Sequence, residues 1–280
     1  MESLGLIAGS GQFPIIVANE AKKQGLRVVA VGISRITSPN LLFSVDKLSW
    51  IELGNLSKLI KEFKAEGVNQ AIMAGQIRHV NLFRDIKFDW RTLLLLRRLI
   101  NKKADTILGA VANELEQEGI HILESTKYIT HLLPAPGVLT KRKPSRKEIK
   151  DIEFGFEIAK KIAGSDIGQT VVVKDLTVVA VEAMEGTDET IRRGGQIGGG
   201  KTVVVKVSKP NQDMRFDVPV IGLGTINSLK EAKAAVLAIE SGKTLFFDQQ
   251  TAIAEADAEK ICLISVRIGQ SGRIEFVDKC

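Results

Sequence analysis

Two charged runs in the second half of the chain carry the residues best suited to phosphate chemistry. Residues 185–193 read EGTDETIRR, and residues 209–219 read KPNQDMRFDVP. Mg²⁺ binds oxygen ligands and typically uses one or two carboxylates, with water and substrate phosphate completing its shell. Arginines hold further phosphate oxygens by paired hydrogen bonds. The candidate metal ligands are Glu185, Asp188, Asp213 and Asp217, and the cations near them are Arg192, Arg193, Lys201, Lys209 and Arg215. These runs indicate a phosphate ester held on a magnesium ion; the alternative is two solvated turns on a β-rich domain.

A glycine-rich turn near the start of the chain is a second candidate site. Residues 4–14, LGLIAGSGQFP, read as an apolar strand, a turn and the start of a helix. Glycines at such a turn let backbone amides approach a diphosphate at the positive end of the helix. We therefore expect nucleotide or phosphate contact at Gly9, Ser10, Gly11 and Gln12. The third glycine of the dinucleotide fingerprint is missing, and a tight turn without a ligand would use similar residues.

A third motif, MAGQIRH at residues 73–79, follows a predicted strand. Open parallel sheets bind ligands at the carboxyl ends of their strands, so Gly75, Gln76 and Arg78 are expected to contact the ligand. A simple strand-to-loop turn is the alternative, mainly for Gln76. The second predicted strand ends without the acid that dehydrogenases use to hold a ribose, which argues against NAD.

Other catalytic chemistries have little support in the sequence. The histidines, His79, His121 and His131, are not spaced like zinc ligands. No nucleophile elbow or comparable signature occurs, so water activated by a metal is the expected nucleophile. The two cysteines, Cys262 and Cys280, form neither a disulfide framework nor a thiolate metal site, which favours a reducing compartment.

Length and composition are those of an ordinary globular protein of two domains. The chain has 280 residues, of which 44% are apolar and 26% charged. Its net charge of +6 favours a polyanionic partner or an anionic surface. No stretch approaches the about 20 apolar residues that a membrane span requires, and the four leucines at 93–96 end at Arg97 and Arg98. We expect a cytoplasmic protein, either soluble or bound peripherally to a membrane.

The first half alternates short apolar runs with amphipathic segments, the pattern of a parallel sheet covered by helices. The predicted strands are residues 4–7, 27–31, 48–53, 70–74 and 120–123. A helix over 56–66 has an apolar face and ends at Gly67, and Asp105 is expected to cap another helix that ends at Gly119. The fold class predicted is therefore α/β, with a Rossmann-like, nucleotide-binding domain over residues 1–133.

Residues 134–148 are predicted to form a linker. The segment contains three prolines and a basic group, and the alternating pattern stops there. The basic residues are Lys141, Arg142, Lys143, Arg146 and Lys147. They could attract anionic lipid, and the alternative is a solvated hinge.

Residues 149–280 are predicted to form an α+β domain. A hairpin over 170–173 and 177–181 and a strand over 202–207 come first. Ser228 and Glu231 have the spacing of a capping box, so a helix is expected over 228–240, followed by strands over 244–247 and 261–266. The glycine-rich stretch 194–202 lacks the helix that should follow a phosphate loop. We interpret it as a mobile loop, either a lid over substrate or a plain hairpin loop.

Several long motifs, in the same order, resemble the LpxI family of UDP-2,3-diacylglucosamine pyrophosphatases, enzymes of lipid A synthesis in Gram-negative bacteria. These motifs are LIAGSGQFP, MAGQIRH, ADTILGAVANELEQEG, DIGQTVVV, VEAMEGTDETIRR, KPNQDMRFDVPVIG and FFDQQTAIAEAD. The resemblance covers nearly the whole chain. One departure concerns the helix opening, where the family commonly has two aspartates and later an arginine, whereas this chain has Ala104, Asp105 and Gly109.

The resemblance implies a two-domain enzyme that uses Mg²⁺ and water to cleave the diphosphate of UDP-2,3-diacylglucosamine. The products are UMP and 2,3-diacylglucosamine 1-phosphate, with attack at the phosphorus on the sugar side. The N-terminal domain is associated with the UDP end and the C-terminal domain with the acylated sugar phosphate. An essential aspartate of the family falls in an Arg-x-Asp-x-Pro motif, here residues 215–219, which makes Asp217 the first choice for metal binding or water activation.

With these implications, the expected catalytic residues are Asp217, Asp188, Arg215 and Lys209. Further substrate contacts are expected at Asp105, Gln169, Thr187, Arg192, Arg193 and Gln212. The expected partners are UDP-2,3-diacylglucosamine and, transiently, the anionic surface of the inner membrane. Nucleic acid is not expected as a partner, and a homo-oligomer is left open. Two other functions compete: a non-catalytic sensor that binds a nucleotide sugar, and an NAD-dependent oxidoreductase.

Overall fold

The contacts of the chain divide it into two units. The computed structural model describes residues 2–77, 88–99, 103–269 and 274–275. Unit 1 comprises Met1–Thr130 together with the short segment Asp213–Asp217, and unit 2 comprises His131–Gln212 and Val218–Cys280. Thus five residues from the second charged run belong to the first unit, whereas the residues on either side of them belong to the second.

Unit 1 contains a five-stranded parallel sheet in the order β3-β2-β1-β4-β5. Its strands are β1 (Ser3–Ala8), β2 (Arg27–Ile33), β3 (Lys47–Ile51), β4 (Gln70–Ala74) and β5 (His121–Ile122). The chain adds β2 and β3 on one side of β1 and then crosses to the other side as β4. Ligands of open parallel sheets bind where the winding direction changes in this way. The predicted Rossmann-like sheet is confirmed.

The α-helices described beside this sheet are α1 (Phe13–Lys23), α2 (Leu56–Ala65), α3 (Trp90–Arg97) and α4 (Ala104–Gln117). Helix α2 buries the apolar face that its sequence predicts, and the Asn55 side chain caps it by accepting from the Lys58 amide. Asp105 is not the cap that we predicted. Lys103 occupies the cap position, and Asp105 lies in the first turn because Ala104 is already helical. A carboxylate there is still favourable to the helix dipole.

Unit 2 is built on a larger, mixed sheet. Its strands are β6 (Gly137–Val138), β7 (Thr170–Lys174), β8 (Thr177–Val181), β9 (Val203–Lys206), β10 (Val220–Ile221), β11 (Val236–Glu240), β12 (Leu245–Phe246), β13 (Cys262–Ile268) and β14 (Ile274–Glu275). The main order is β14-β13-β11-β9-β7-β8, with β6 paired to β13 and a separate pair β10-β12. Strands β9, β11 and β13 are parallel, whereas β7 and β8 form the predicted antiparallel hairpin.

The helices of unit 2 are α5 (Arg146–Gly164), α6 (Thr187–Gly198), α7 (Leu223–Glu231) and α8 (Gln249–Ala258). Among the residues described in either unit, no helix combines the length and apolar character needed to cross a bilayer.

The helix predicted over 228–240 is wrong in position and length. Helix α7 ends at Glu231, and Ser228 lies inside it, where its hydroxyl donates to the Gly224 carbonyl at 3.1 Å. Residues 236–240 are instead strand β11, buried along its length between two parallel neighbours. A strand buried on both faces has a continuous apolar sequence, which an alanine-rich helix also has, and sheet packing overrides the helix propensity.

The mobile loop predicted over 194–202 is also wrong, because Gly194 and Gly195 lie in helix α6. A Cβ on Gly194 would be 2.7 Å from the Val172 side chain, and one on Gly195 would be 2.5 Å from the Ala232 side chain and carbonyl. The two glycines allow α6 to pack closely on β7 and α7. The helix ends at Gly199, whose positive φ of 66° stops it.

The segment 134–148 differs from the linker that we predicted. It contains strand β6, and Ser145 and Glu148 form a capping box at the start of α5. The Arg142 guanidinium donates to the Ala235 carbonyl at 3.0 Å and pairs with Glu148 at 2.5 Å. These contacts make the segment part of unit 2 and engage one of the five basic residues assigned to lipid attraction.

Candidate active site

The two glycine motifs of unit 1 meet where the winding of its sheet reverses. The Gly9 amide donates to the Ala74 carbonyl at 2.8 Å. The Ser10 amide and hydroxyl both donate to the Gln76 carbonyl, at 2.9 and 2.8 Å, and the Gln76 amide donates back to Ser10 at 3.2 Å. The carboxyl ends of β1 and β4 are therefore joined by a short backbone bridge.

This bridge explains why glycine occupies both loops. A Cβ on Gly75 would be 2.6 Å from the Ser10 carbonyl oxygen, and one on Gly9 would be 2.8 Å from the Gly75 backbone. Gly75 also has a φ of 94° and Gly11 a φ of 89°, a region that favours glycine. Gly11 and Gln12 are exposed at the start of α1, the positive end of the helix dipole.

Arg78 and His79, from the same motif as Gly75, lie outside the described residues.

The segment Asp213–Asp217 is held on unit 1 by Ser125, a residue that the sequence analysis missed. Ser125 is only 1% exposed. Its amide donates to the Met214 carbonyl at 2.9 Å, and its hydroxyl lies 2.7 Å from the Met73 carbonyl and 2.6 Å from the Arg215 carbonyl. Met73 belongs to β4, so this side chain connects that strand to the segment that contains Asp217.

Two further contacts fix the same segment. Phe216 packs against the apolar core of unit 1, and the Arg215 guanidinium lies over the Phe216 ring at 5.2 Å and 3.5 Å from Glu116 of α4. The Asp217 and Phe216 amides donate to the Asp213 carbonyl at 3.2 and 3.3 Å. These bonds close a turn that presents Asp217, a half-buried residue.

The Asp213 carboxylate is hydrogen-bonded to Arg215 through both of its oxygens. Its Oδ1 accepts from the Arg215 amide and Nε, both at 3.0 Å, and its Oδ2 accepts from the guanidinium NH2 at 2.8 Å. The hydrogen bond from Arg215 holds the pKa of Asp213 below its usual value, and Asp213 in turn raises the pKa of Arg215. With both oxygens engaged, Asp213 fits a role in shaping the turn better than a role as a metal ligand.

The acids and arginines of the first charged run are paired with each other in unit 2. Arg193 binds Glu185 at 2.6 Å and the Val181 carbonyl at 2.9 Å. Backbone amides and Arg193 lower the pKa of Glu185. Arg192 binds Glu189 at 2.6 Å and Glu231 at 2.5 Å, which ties α6 to α7. Both arginines thus have structural partners of opposite charge.

A buried lysine lies beside the start of α6 and was also missed. Lys206, at the end of β9, is 6% exposed, and its ammonium donates to the Thr187 hydroxyl at 2.7 Å. That hydroxyl donates to Glu182 at 2.8 Å, and the Gln169 amide donates to the same carboxylate at 3.2 Å. Asp188 follows Thr187 in the first turn of α6. A single lysine after three valines forms no recognisable sequence motif, so its burial beside α6 is visible only in the fold.

Lys209 and Gln212 lie near each other in unit 2. The Lys209 ammonium binds Asp166 at 2.8 Å, and its amide donates to the Gln212 side chain at 2.7 Å. Nearby in sequence, Ser208 donates from both its amide and its hydroxyl to buried Glu240, each at 2.8 Å, and Lys160 pairs with Glu240 at 2.7 Å. This buried network lies at the carboxyl ends of strands β9 and β11.

The four acids predicted to bind metal therefore divide between the units. Asp213 and Asp217 belong to unit 1, and Glu185 and Asp188 belong to unit 2. Within the described parts of the chain, no three His, Cys, Asp or Glu side chains group closely enough to hold a metal ion. Asp213 and Glu185 each bind an arginine.

The fold defines a class: a two-unit α/β protein with a Rossmann-like parallel sheet in its first unit and a mixed sheet with helices in its second. Residues 3–132 match the LpxI N-terminal domain, and residues 135–264 match the LpxI C-terminal domain. The chain belongs to the LpxI family, which confirms the resemblance seen in its motifs.

One curated relative is the UDP-2,3-diacylglucosamine pyrophosphatase LpxI of Caulobacter vibrioides. It is 32% identical over 270 residues, which cover 92% of this chain and 95% of the relative. Two solved structures also match part of this chain. One is a phosphoribosylglycinamide synthetase from Anaerococcus prevotii, which is 14% identical with a TM-score of 0.26; the match covers 61% of this chain and 31% of the synthetase. The other is an N5-carboxyaminoimidazole ribonucleotide synthetase from Thermotoga maritima, which is 16% identical with a TM-score of 0.24; the match covers 67% of this chain and 43% of that synthetase.

Proposed function

We propose that this protein is a magnesium-dependent pyrophosphatase that hydrolyses UDP-2,3-diacylglucosamine to UMP and 2,3-diacylglucosamine 1-phosphate in lipid A synthesis. Membership of the LpxI family and the name of the Caulobacter relative support this substrate. The structural observation that carries the proposal is that segment 213–217, with Asp217, is bound to β4 of unit 1 through Ser125. Strand β4 also leads into Gly75 and Gln76, one of the two loops that meet at the ligand-binding edge of the sheet.

In this proposal, unit 1 binds the nucleotide end of the substrate. The exposed turn at Gly11 and Gln12, at the start of α1, is suited to phosphate, because the helix dipole favours an anion at a helix N-terminus. Ser10 and Gln76 hold the loop closed, and Gln12 extends from the helix start. The acid that binds a ribose in dehydrogenases is absent from the end of β2, which argues against NAD.

Asp217 is proposed to bind Mg²⁺ or to accept a proton from the attacking water. A magnesium ion would supply charge neutralisation of the phosphates and acidify a bound water. Asp213 and Arg215 hold the turn on which Asp217 lies, and the arginine retains one NH group directed toward Glu116 at 3.5 Å. Asp188 is the second candidate carboxylate.

Unit 2 is proposed to bind the acylated sugar phosphate. Lys209 and the buried Lys206 supply positive charge, and Thr187, Gln169 and Gln212 supply hydrogen-bonding groups. Arg192 and Arg193 are proposed to act mainly by holding α6 in position, since Arg192 connects it to α7 and Arg193 connects it to the end of β8.

The protein is proposed to work in the cytoplasm at the surface of the inner membrane, because a substrate with two acyl chains resides in the bilayer. Transient contact with anionic lipid headgroups would follow from the net charge of +6.

The direct test is to incubate the purified protein with UDP-2,3-diacylglucosamine in detergent, with Mg²⁺ or with a chelator, and to measure UMP. We expect UMP release with Mg²⁺ and its loss on chelation, restored by added Mg²⁺. If the protein binds the substrate but releases no UMP under any metal condition, it is a nucleotide-sugar sensor instead. Release that is insensitive to chelation would contradict the metal assignment alone.

A further inference from the structure

The outer face of helix α3 combines large apolar side chains with arginines. Trp90 is 69% exposed and Leu93 40% exposed, and Phe88, just before the helix, is 42% exposed. Arg97 and Arg98 at the helix end are exposed as well. Because successive residues of an α-helix are rotated by about 100° about its axis, positions 90, 93 and 97 lie on one side of the helix. We call Phe88, Trp90, Leu93, Arg97 and Arg98 the α3 outer face.

The opposite side of α3 packs on unit 1. The helix is therefore held in place while its outer face remains exposed. Leu95 is buried, and the Thr92 hydroxyl donates to the Gly54 carbonyl at 2.7 Å. Asp89 caps α3 and also accepts from the Ser57 amide of α2 at 2.7 Å. Burial alone would raise the pKa of Asp89, but the hydrogen bonds from Ser57 and Thr92 lower it. The charged carboxylate is therefore favoured, and it joins the starts of α2 and α3 within unit 1.

The arginines of α3 differ in their partners. Arg91, on the anchored side, binds Glu114 at 2.7 Å and also pairs with Glu118. Arg97 and Arg98 form no ion pair with any acid in the described part of the chain. The α3 outer face therefore carries two cations that have no ion-pair partner among the described residues, next to a tryptophan, a leucine and a phenylalanine.

This combination is suited to the boundary between headgroups and acyl chains. Tryptophan prefers that region because its ring is apolar and its N–H is polar, leucine and phenylalanine enter the acyl edge, and arginine binds phosphate. Four consecutive leucines at 93–96 supply both sides of this short helix: Leu95 packs inward, and Leu93 faces outward.

We propose that the α3 outer face docks the protein on an anionic lipid bilayer. The proposal specifies the membrane contact suggested above and rests on the proposed function only for the choice of a lipid bilayer as partner. Docking itself requires no catalysis, so a vesicle-binding assay tests it independently of UMP release.

The sequence offers a built-in reporter, because Trp50 and Trp90 are its only tryptophans. In a Trp50→Phe variant of the full chain, Trp90 is the sole tryptophan. We expect vesicles of phosphatidylglycerol and phosphatidylcholine to shift its emission to the blue and to protect it from a water-soluble quencher. Vesicles of pure phosphatidylcholine should do much less, because the arginines contribute only with anionic lipid.

The decisive variant is Arg97→Ser/Arg98→Ser, measured by flotation with the same anionic vesicles. About 1 kcal/mol per basic residue near such a surface corresponds to about a fivefold loss of partitioning for each arginine, or about 25-fold for both. Leu93→Ser should weaken binding as well. Matched controls are Lys141→Ser/Lys143→Ser, in the basic group of residues 134–148, and Phe43→Ser, which removes another exposed phenylalanine. All these side chains are exposed, and circular dichroism checks folding.

Three results would overturn the proposal. The first is vesicle binding that is unchanged in the Arg97→Ser/Arg98→Ser variant. The second is loss of binding in the Lys141→Ser/Lys143→Ser control, which would transfer docking to that segment. The third is an absence of vesicle binding while single-stranded nucleic acid shifts the Trp90 emission, which would make α3 a nucleic-acid contact.

Discussion

Asp213 and Asp217 belong to one short turn, but their surroundings give them different roles. By residue type, both acids are possible magnesium ligands, and only the family motif distinguishes Asp217. In the structure, both Asp213 oxygens accept hydrogen bonds from Arg215, and its carbonyl closes the turn that ends at Asp217. We therefore expect Asp213 to position the turn and Asp217 to act on the ligand. Residue type alone cannot assign this role to Asp213, because the role depends on the Arg215 guanidinium that binds both of its carboxylate oxygens.

The pKa of Asp213 gives the first prediction. It is lowered in the folded state, so its interaction with Arg215 stabilises the fold above the usual carboxyl value of 3.8 and is lost as pH falls through the lower, folded value. Asp213→Asn should lower the free energy of unfolding at pH 7 by about 1 kcal/mol, after allowance for solvent screening.

Denaturant unfolding of both proteins at several pH values measures this. The difference in free energy of unfolding between the parent and Asp213→Asn should be constant near neutrality and vanish in strong acid. A difference that grows in acid would contradict the stabilising pair between Asp213 and Arg215.

Ser125 gives a second prediction at this scale. Ser125→Ala removes the hydroxyl between the Met73 and Arg215 carbonyls but keeps the amide bond to Met214. We expect a loss of about 1–2 kcal/mol in stability and a fall of about tenfold or more in kcat, because a displaced catalytic group reacts less well. KM for the substrate should change little.

Substrate titration at saturating Mg²⁺ separates the two parameters. If kcat is unchanged while stability falls, Ser125 is structural only. Ser10→Ala, which removes another hydroxyl bonded to a carbonyl of unit 1, is the comparison.

At the scale of elements, the glycines of α6 illustrate why part of the prediction failed. The sequence GGQIGGG suggests a flexible loop, because glycine is a poor helix former. The helix forms nevertheless, since Gly194 and Gly195 allow contact distances that a Cβ would prevent. Such a reason depends on which residues lie opposite, here Val172 and Ala232, and these are distant in sequence.

A matched pair of substitutions tests this explanation. Gly195→Ala should lower the free energy of unfolding by about 1–3 kcal/mol, because a Cβ there would be 2.5 Å from the Ala232 carbonyl oxygen. Gly109→Ala, in helix α4 with no atom within 4 Å of the added Cβ, should raise it by about 0.5–1 kcal/mol. Thermal and denaturant unfolding report both values. Equal effects of the two substitutions would show that packing at α6 is looser than described.

Strand β11 shows the opposite kind of difficulty. Its sequence, VLAIE, is apolar at four successive positions and follows several alanines, so neither a helical nor an alternating period distinguishes it. In unit 1 the short apolar runs were bounded by glycines and by clear amphipathic helices, and all five strands were predicted. Periodicity is informative where one face of an element meets water and fails where both faces are buried.

At the scale of the whole molecule, motif order was more informative than any single site. Matches to the two LpxI domains over residues 3–132 and 135–264 agree with motifs distributed along nearly the whole chain. The glycine loops were predicted from local sequence because strand ends and turns are local features. The attachment of segment 213–217 to unit 1 could not be predicted, because Ser125 and Arg215 are 90 residues apart. Lys206 was missed for a similar reason, since its burial depends on the packing of β9.

The central claim is that Asp217 acts in hydrolysis of the substrate diphosphate, and Asp217→Asn tests it most directly. The full-length variant and the parent are compared for UMP release from UDP-2,3-diacylglucosamine at saturating Mg²⁺, with Glu255→Gln, an exposed acid of α8, as the control. Binding of UDP is measured by calorimetry on the same samples. We predict a loss of about 10²–10⁴-fold in rate for Asp217→Asn, with UDP binding and the control unchanged. Equal rates of UMP release by the variant and the parent would contradict the account.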